Sequence, residues 1–314
     1  MKLAAGVLGA ALVVAACSSG DDGGSRSAVA TTVSTTTTTP GPTPDELAAA
    51  VCAAQPAPGQ ARVADPELTE LSGVVALDSG RWAHNDSGDS ARLFQLAEDG
   101  STQAVVPLDG VEATDWEDLS SAGPSSGELF VGDIGDNAGV RSEVLVHRVT
   151  VPDPPSDAAL AQTITLRYPD GPRDAETLLV DPLTRDLVVV HKRFGGASEV
   201  YVAPEADWSD GEATLDRAGI VEVGDSPVDA TTGGDVGHDG RVVALRTYLA
   251  VLVFPRQDDQ SLAQALVEND PCDAPAAVET QGEALAFTED GYVTIGEGER
   301  PAINRWTVTV EGDD

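Results

Sequence analysis

Positive charge is the scarcest resource in this chain. Lys and Arg together number 18 against 53 Asp and Glu, a formal net charge of -35, and after Lys2 the only lysine is Lys192. A field of that sign repels phosphate backbones and excludes nucleic acid as a partner. Otherwise it reads as a solvating surface. Cysteine is scarce too, with three residues, and the few His stand apart: His147 in a strand and His238 in a turn read as structural or exposed. Zinc therefore lacks its usual ligands. No aspartate series has the spacing of an EF-hand loop. Gly123-Pro124-Ser125-Ser126-Gly127 matches the G-x-S-x-G pattern, but it falls in a hairpin turn and not at a strand-to-helix elbow, so it does not mark a nucleophile.

Long apolar runs are absent beyond the first residues, so nothing later can span a bilayer. At the start, Lys2 precedes an apolar run from Leu3 to Val14 and the small-residue sequence Val14-Ala15-Ala16-Cys17. This is an export signal over residues 1–17. Its end resembles a bacterial lipobox, which implies lipidation of Cys17; ordinary secretion is the alternative. Residues 18–42 are mostly Ser, Thr, Gly, Asp and Pro, a composition expected to form a disordered tether. With Cys17 assigned to lipid, Cys52 and Cys272 remain, and an oxidising compartment predicts that they pair. Such a long closed loop is worth nominally about 5 kcal/mol.

Residues 43–60 open with Thr43-Pro44-Asp45-Glu46, a capping signature that predicts a short helix carrying Cys52. From residue 61 to 314 an imperfect unit recurs at intervals of roughly fifty residues, with an apolar run, a Gly-containing turn and a second apolar run. Its copies begin near Gly73, Glu117, Glu176, Gly233 and Glu283. No helical period runs inside the unit, so the fold expected is an all-β propeller of five blades, although the spacing also accommodates a degenerate sixth. The last repeat has three strands. A strand from Arg62 to Glu67 is expected to complete it, closing the ring and bringing Cys52 towards Cys272.

In such a blade the start of the first strand lies beside the end of the second. First-strand starts carry Glu117, Glu176 and Glu283, with Asp115 and Asp174 two residues before the first two. Second-strand ends carry His84, Asn85, Asp86, Asp133, Asp136, Lys192, Arg193, Arg246 and Glu297. All should face one mouth of the ring. Glu117, Glu176, Glu283, Asp86 and Asp133 are hard oxygen donors suited to Ca²⁺. Lys192, Arg193, Arg246, Asn85 and Glu297 would contact a ligand. Turn-forming hydrogen bonds are the competing use of these carboxylates.

Trp82-Ala83-His84-Asn85-Asp86-Ser87-Gly88, Asp115-Trp116-Glu117-Asp118-Leu119 and Gly132-Asp133-Ile134-Gly135-Asp136-Asn137 together resemble a group of bacterial exported β-propeller proteins of unassigned activity. That group is distantly similar to phytase-like and esterase-like propellers. The likeness spans about residues 68 to 310 and implies a polar, calcium-binding mouth. No complete phytase signature maps onto the chain residue by residue. The expected function is a lipid-anchored protein on the extracytoplasmic face of the cell membrane that binds a ligand or partner at its mouth through Ca²⁺. A metal-dependent phosphoester or carboxyl-ester hydrolase and a structural envelope protein are the alternatives.

Overall fold

The computed structural model describes residues 9–12, 33–36, 41–152, 155 and 158–310. Cys17 and most of the 18–42 segment lie outside the described residues. Val33–Thr36, expected within the structureless tether, is instead extended and pairs antiparallel with Gly9–Leu12, consistent with the β-branched Val33, Thr35 and Thr36.

Thr43–Asp314 forms a separate compact unit. It opens with the helix Pro44–Cys52, whose N-cap Thr43 and Glu46 form a reciprocal capping box. Two further helices, Glu205–Trp208 and Leu262–Glu268, lie in connections, and the other elements described are strands. A nine-stranded sheet contains two antiparallel meanders. The first is Leu71–Leu77, Gly80–Asn85, Arg92–Leu96 and Thr102–Asp109; the second is Trp116–Ser120, Glu128–Asp133, Val144–Thr150 and Ala159–Arg167. Their outer strands touch in parallel at Leu108–Ala159. A third meander comprises Ala175–Val180, Leu187–His191, Ala197–Ala203 and Asp216–Glu222, and a fourth Thr231–Val236, Val242–Thr247, Val251–Pro255 and Cys272–Ala274. The last consists of Gly282–Thr288, Gly291–Gly296 and Ala302–Thr307.

The first strands of the meanders neighbour one another in sequence order, and Gly282–Thr288 returns to pack against Leu71–Leu77. The architecture is propeller-like. A cluster of buried apolar residues fills each gap between neighbouring meanders: Leu71, Phe94 and Ile295 lie between the last and first, Trp82 and Leu129 between the first and second, and Phe130 and Leu178 between the second and third. Full burial of one such side chain contributes about 1.5–3 kcal/mol. Side chains also stitch the inner strands together: Asp118 accepts from Leu178 N at 2.9 Å, Ser120 Oγ from Val180 N at 3.0 Å and Asp235 from Phe287 N at 2.8 Å. Away from the axis Arg256 donates to both carboxylate oxygens of Asp181 at 2.8 Å, a buried pair joining the third and fourth sheets.

The N-terminal segment closes the ring, but earlier than Arg62–Glu67. Gln55–Pro56 and Ala61–Arg62 pair with Ala302–Thr307. The intervening Pro58-Gly59 interrupts the strand, since Pro cannot donate to a ladder and Gly59 has φ +86. Beyond Arg62 only Val63 N still bonds across, to Pro301 O at 3.0 Å, before Pro66 ends the extension. Cys52 and Cys272 form a disulfide with a Cα–Cα distance of 6.1 Å.

Candidate functional site

Each inner strand carries a register shift near its start. In the ladder with the second strand Trp116 pairs with Asp133 and Asp118 with Gly132, so Glu117 has no partner. Glu176 is skipped between Ala175 and Thr177, and Glu283 between Gly282 and Ala284. The remaining two sheets skip Ser72-Gly73 and Thr232 in the same place. A bulge adds a residue to one strand and re-aims its side chain. Here it directs one side chain per sheet towards the axis. The hydroxyls at this position bond a neighbouring backbone: Ser72 Oγ donates to Glu117 O, and Thr232 Oγ1 to Gly282 O at 2.8 Å. The glutamates do not follow that pattern.

Glu117, Glu176 and Glu283 are buried, and Glu176 repels each of the other two. Burial, then Glu176, Asp86 and Asp115, push the Glu117 carboxyl up to about 11. Burial, then Glu176 and Glu297, push Glu283 up to about 9. Burial also raises Glu176, but its ion pair with Lys192 holds it to about 7. Lys192 gains more from that pair than burial costs it, so its ammonium is held above the usual lysine range. It also lies 5.4 Å from the centre of the Tyr248 ring.

Asp86, Asp115 and Glu117 each offer a carboxylate oxygen, all within 4.8 Å of one another. The Glu117 carboxylate has no hydrogen-bond or ion-pair partner among the described residues, and only its backbone oxygen is engaged, by Ser72 Oγ. The half-buried Asp115 is raised to about 6 by burial, then by Asp86 and Asp174. A loop from Ile134 to Arg141 lies against Asp115 and Glu117, with Gly135 N donating to Asp115 O at 3.2 Å. Its Gly135 faces Glu117 Oε1 and the Asp115 carboxylate so closely that a Cβ would collide with both. Arg141 anchors the loop, donating to Gly135 O at 2.7 Å and pairing with Asp133 at 2.8 Å.

Not every expected residue reaches the mouth. Asp133 is fully buried and accepts from Thr114 N and Asp115 N at 3.3 and 3.2 Å, so it shapes the segment carrying Asp115 and offers no free oxygen for a metal. Burial alone would raise it, but His147 and Arg141 outweigh that and hold it below the usual range. Arg246 is fully buried, bonded to Glu279 at 2.8 Å and packed against Gly282; its charge is already balanced. Asn85 donates to Glu67 O and Asp89 and accepts from Glu70 N, pinning the segment that enters the first sheet. Arg193 is exposed on the rim, and Glu297 is half-buried, raised by burial and by Asp86. Asp115, Tyr248 and Gly135 take the places of the displaced candidates. For Asp115 the two-residue spacing from Glu117 was the available signal.

No protein-family model matches the chain, and no curated protein matches it. Among solved structures, the calcium and iodide structures of a Trichoderma reesei carbohydrate-active enzyme of family AA12 align with a TM-score of 0.43 and 9% identity, covering 80% of this chain. The alignments cover 97% of the iodide-structure chain and 96% of the calcium-structure chain. A chain of a nidogen/laminin complex aligns at TM-score 0.43 and 8% identity over 73% of each chain.

Proposed function

We propose that the unit is a five-bladed propeller, exported and held at the membrane by lipid on Cys17, whose acidic mouth binds a ligand or partner with the help of a divalent cation. Asp86, Asp115 and Glu117 would hold the cation, with Glu176 and Glu283 opposite. The observation that carries this reading is Glu117: a buried, bulge-directed carboxylate, unpartnered among the described residues, set beside two further carboxylates. Ionised without a partner, that group would be an uncompensated buried charge, which is expensive. A cation would satisfy all three groups at once. Ca²⁺ suits this set because it takes about six to eight oxygens in flexible geometry, which water can complete.

Differential scanning calorimetry in chelator and in millimolar Ca²⁺ tests it. Binding to the folded state alone raises the midpoint by mass action, and identical midpoints would remove the cation from the reading. Anchoring is tested separately: Cys17→Ser should shift the protein out of the membrane fraction or block its processing.

One observation favours a hydrolytic variant of this reading. Asp115 and Asp86 are the partly exposed members of the trio, so a water beside it would have a carboxylate within reach as its proton acceptor, and Asp115 would take that role. Turnover in a phosphatase and esterase panel, lost in Asp115→Asn, would establish it.

A further inference from the structure

The end of the ring that holds the acidic centre also carries an apolar rim. Among the described residues Val140, Phe194, Val228, Leu249 and Val278 are large, exposed apolar side chains on loops of this one end. Val140, Phe194 and Leu249 follow second strands, whereas Val228 and Val278 precede first strands. The opposite end shows Leu183, and the outer strands show Val105, Leu160 and Ile220. Scattered apolar residues need no explanation, but a concentration around one polar centre marks an interaction surface. The rim meets that centre directly: Phe194 stacks on Tyr248 with ring centroids 6.4 Å apart and planes 13° from parallel, and Lys192 lies over the same Tyr248 ring.

On this side Gly282 pairs with Gly296, and Glu297 N donates to Gln281 O at 3.0 Å, which sets Glu297 beside the bulge that carries Glu283. The nearby ammonium of Lys192 is already engaged by Glu176. The apolar rim offers nothing to a bare metal ion, and the acidic field disfavours phosphate-bearing surfaces. Charge complementarity therefore selects a basic group with apolar neighbours.

We propose that this end of the propeller docks a protein segment presenting a Lys or Arg flanked by apolar side chains. The basic group enters between Glu283 and Glu297, and its neighbours seat on Phe194, Tyr248 and Leu249. This rests on reading the mouth as a cation-accepting site, and it adds the class of partner. Aromatic and apolar anchors at the edge of a desolvated charge pair are the composition of an interface hot spot.

The test uses fluorescein-labelled peptides with a central Arg or Lys between Leu, Phe or Trp residues, their Gln-centred counterparts, and the purified full chain at about 0.15 M salt, where long-range attraction is screened. Anisotropy should show the basic peptides binding at least about tenfold more tightly than the neutral ones. Glu297→Gln should remove most of that difference. Phe194→Ser/Leu249→Ser should weaken binding by about tenfold while leaving the thermal midpoint and its Ca²⁺ response unchanged. Equal binding of basic and neutral peptides overturns the proposal. So does binding that ignores the Phe194→Ser/Leu249→Ser change, which would be unspecific attraction to an acidic protein. Rim-dependent dimers on a sizing column would assign the surface to a second copy, against the proposal. A preserved Ca²⁺ response with no peptide binding sinks the docking partner alone, whereas loss of the Ca²⁺ response in the unaltered protein sinks the cation site.

Discussion

Gly135 lies against the carboxylate of Glu117 at a distance that leaves no room for a methyl group. The loop residue and the bulge residue come from different parts of the second meander, and together they enclose a carboxyl that no hydrogen bond or ion pair engages among the described residues. Gly135→Ala should force the loop away or the carboxylate aside. Overpacking of this kind costs about 1–3 kcal/mol, visible as a lowered thermal midpoint, and the Ca²⁺ response should shrink with it. A variant with an unaltered midpoint and response would show that the close approach has no bearing on the site.

Glu117→Gln separates folding from binding. Without a cation the Glu117 carboxyl, raised to about 11 by burial and its acidic neighbours, is protonated at neutral pH, and a neutral amide of the same shape replaces it at small cost. The midpoint in chelator should therefore stay within about 1 kcal/mol of the original, while the gain from Ca²⁺ is lost. Large destabilisation in chelator would mean that Glu117 has a structural role.

Lys192 and Glu176 form the opposite case, a buried pair already balanced. Lys192→Met leaves Glu176 uncompensated and should cost on the order of 3–5 kcal/mol. Adding Glu176→Gln should recover much of it. Chemical denaturation of both variants measures the difference, and additive losses would show that the two side chains are not coupled.

Stability without a cation should fall as pH rises. Asp115 and Glu283 have folded values of about 6 and about 9, above their unfolded values. Their contribution is complete below the unfolded carboxylate range and disappears as pH climbs through about 6 and then about 9. Asp133 and Asp181 are shifted down by their cationic partners, and their contribution fails only in acid. Midpoints in chelator should thus decline from pH 5 to pH 9, each kcal/mol lost being worth roughly 2–4 °C. Ca²⁺ should flatten the decline, because a bound cation favours the ionised carboxylates. A rising profile in chelator would contradict the assignment.

Much of the ring was legible because it depends on local patterns. The strands around Trp82, Phe94 and Tyr292 follow from apolar runs between glycine-bearing turns, and the Thr43 cap follows from residues three apart. The equivalence of Glu117, Glu176 and Glu283 follows from aligning the repeats. The commitments of individual polar groups were not legible, because they are settled by distant partners. Arg246 resembles a ligand residue until Glu279 is seen to hold it, and Asn85 until Glu67 and Asp89 are placed around it. Gly135 sits in a sequence that reads as a turn, and nothing local separates a turn glycine from one that makes room for a carboxylate. The closing strand was misplaced for a related reason: either side of Arg62 can extend, and only Pro58-Gly59 and the partner strand decide the register.

The bridge between Cys52 and Cys272 has a mechanical consequence. A pull on the chain ahead of Thr43 travels along the helix and meets Cys52 before it reaches Gln55–Arg62. There it passes through a covalent bond into Cys272–Ala274, a strand hydrogen-bonded along its length to Val251–Val253. The two short pairings that close the ring are thereby spared the load. Tension from the N-terminal side is shared with a neighbouring sheet and does not unzip the seam, so a ring whose weakest joint is at its own N-terminus can still be held by that end.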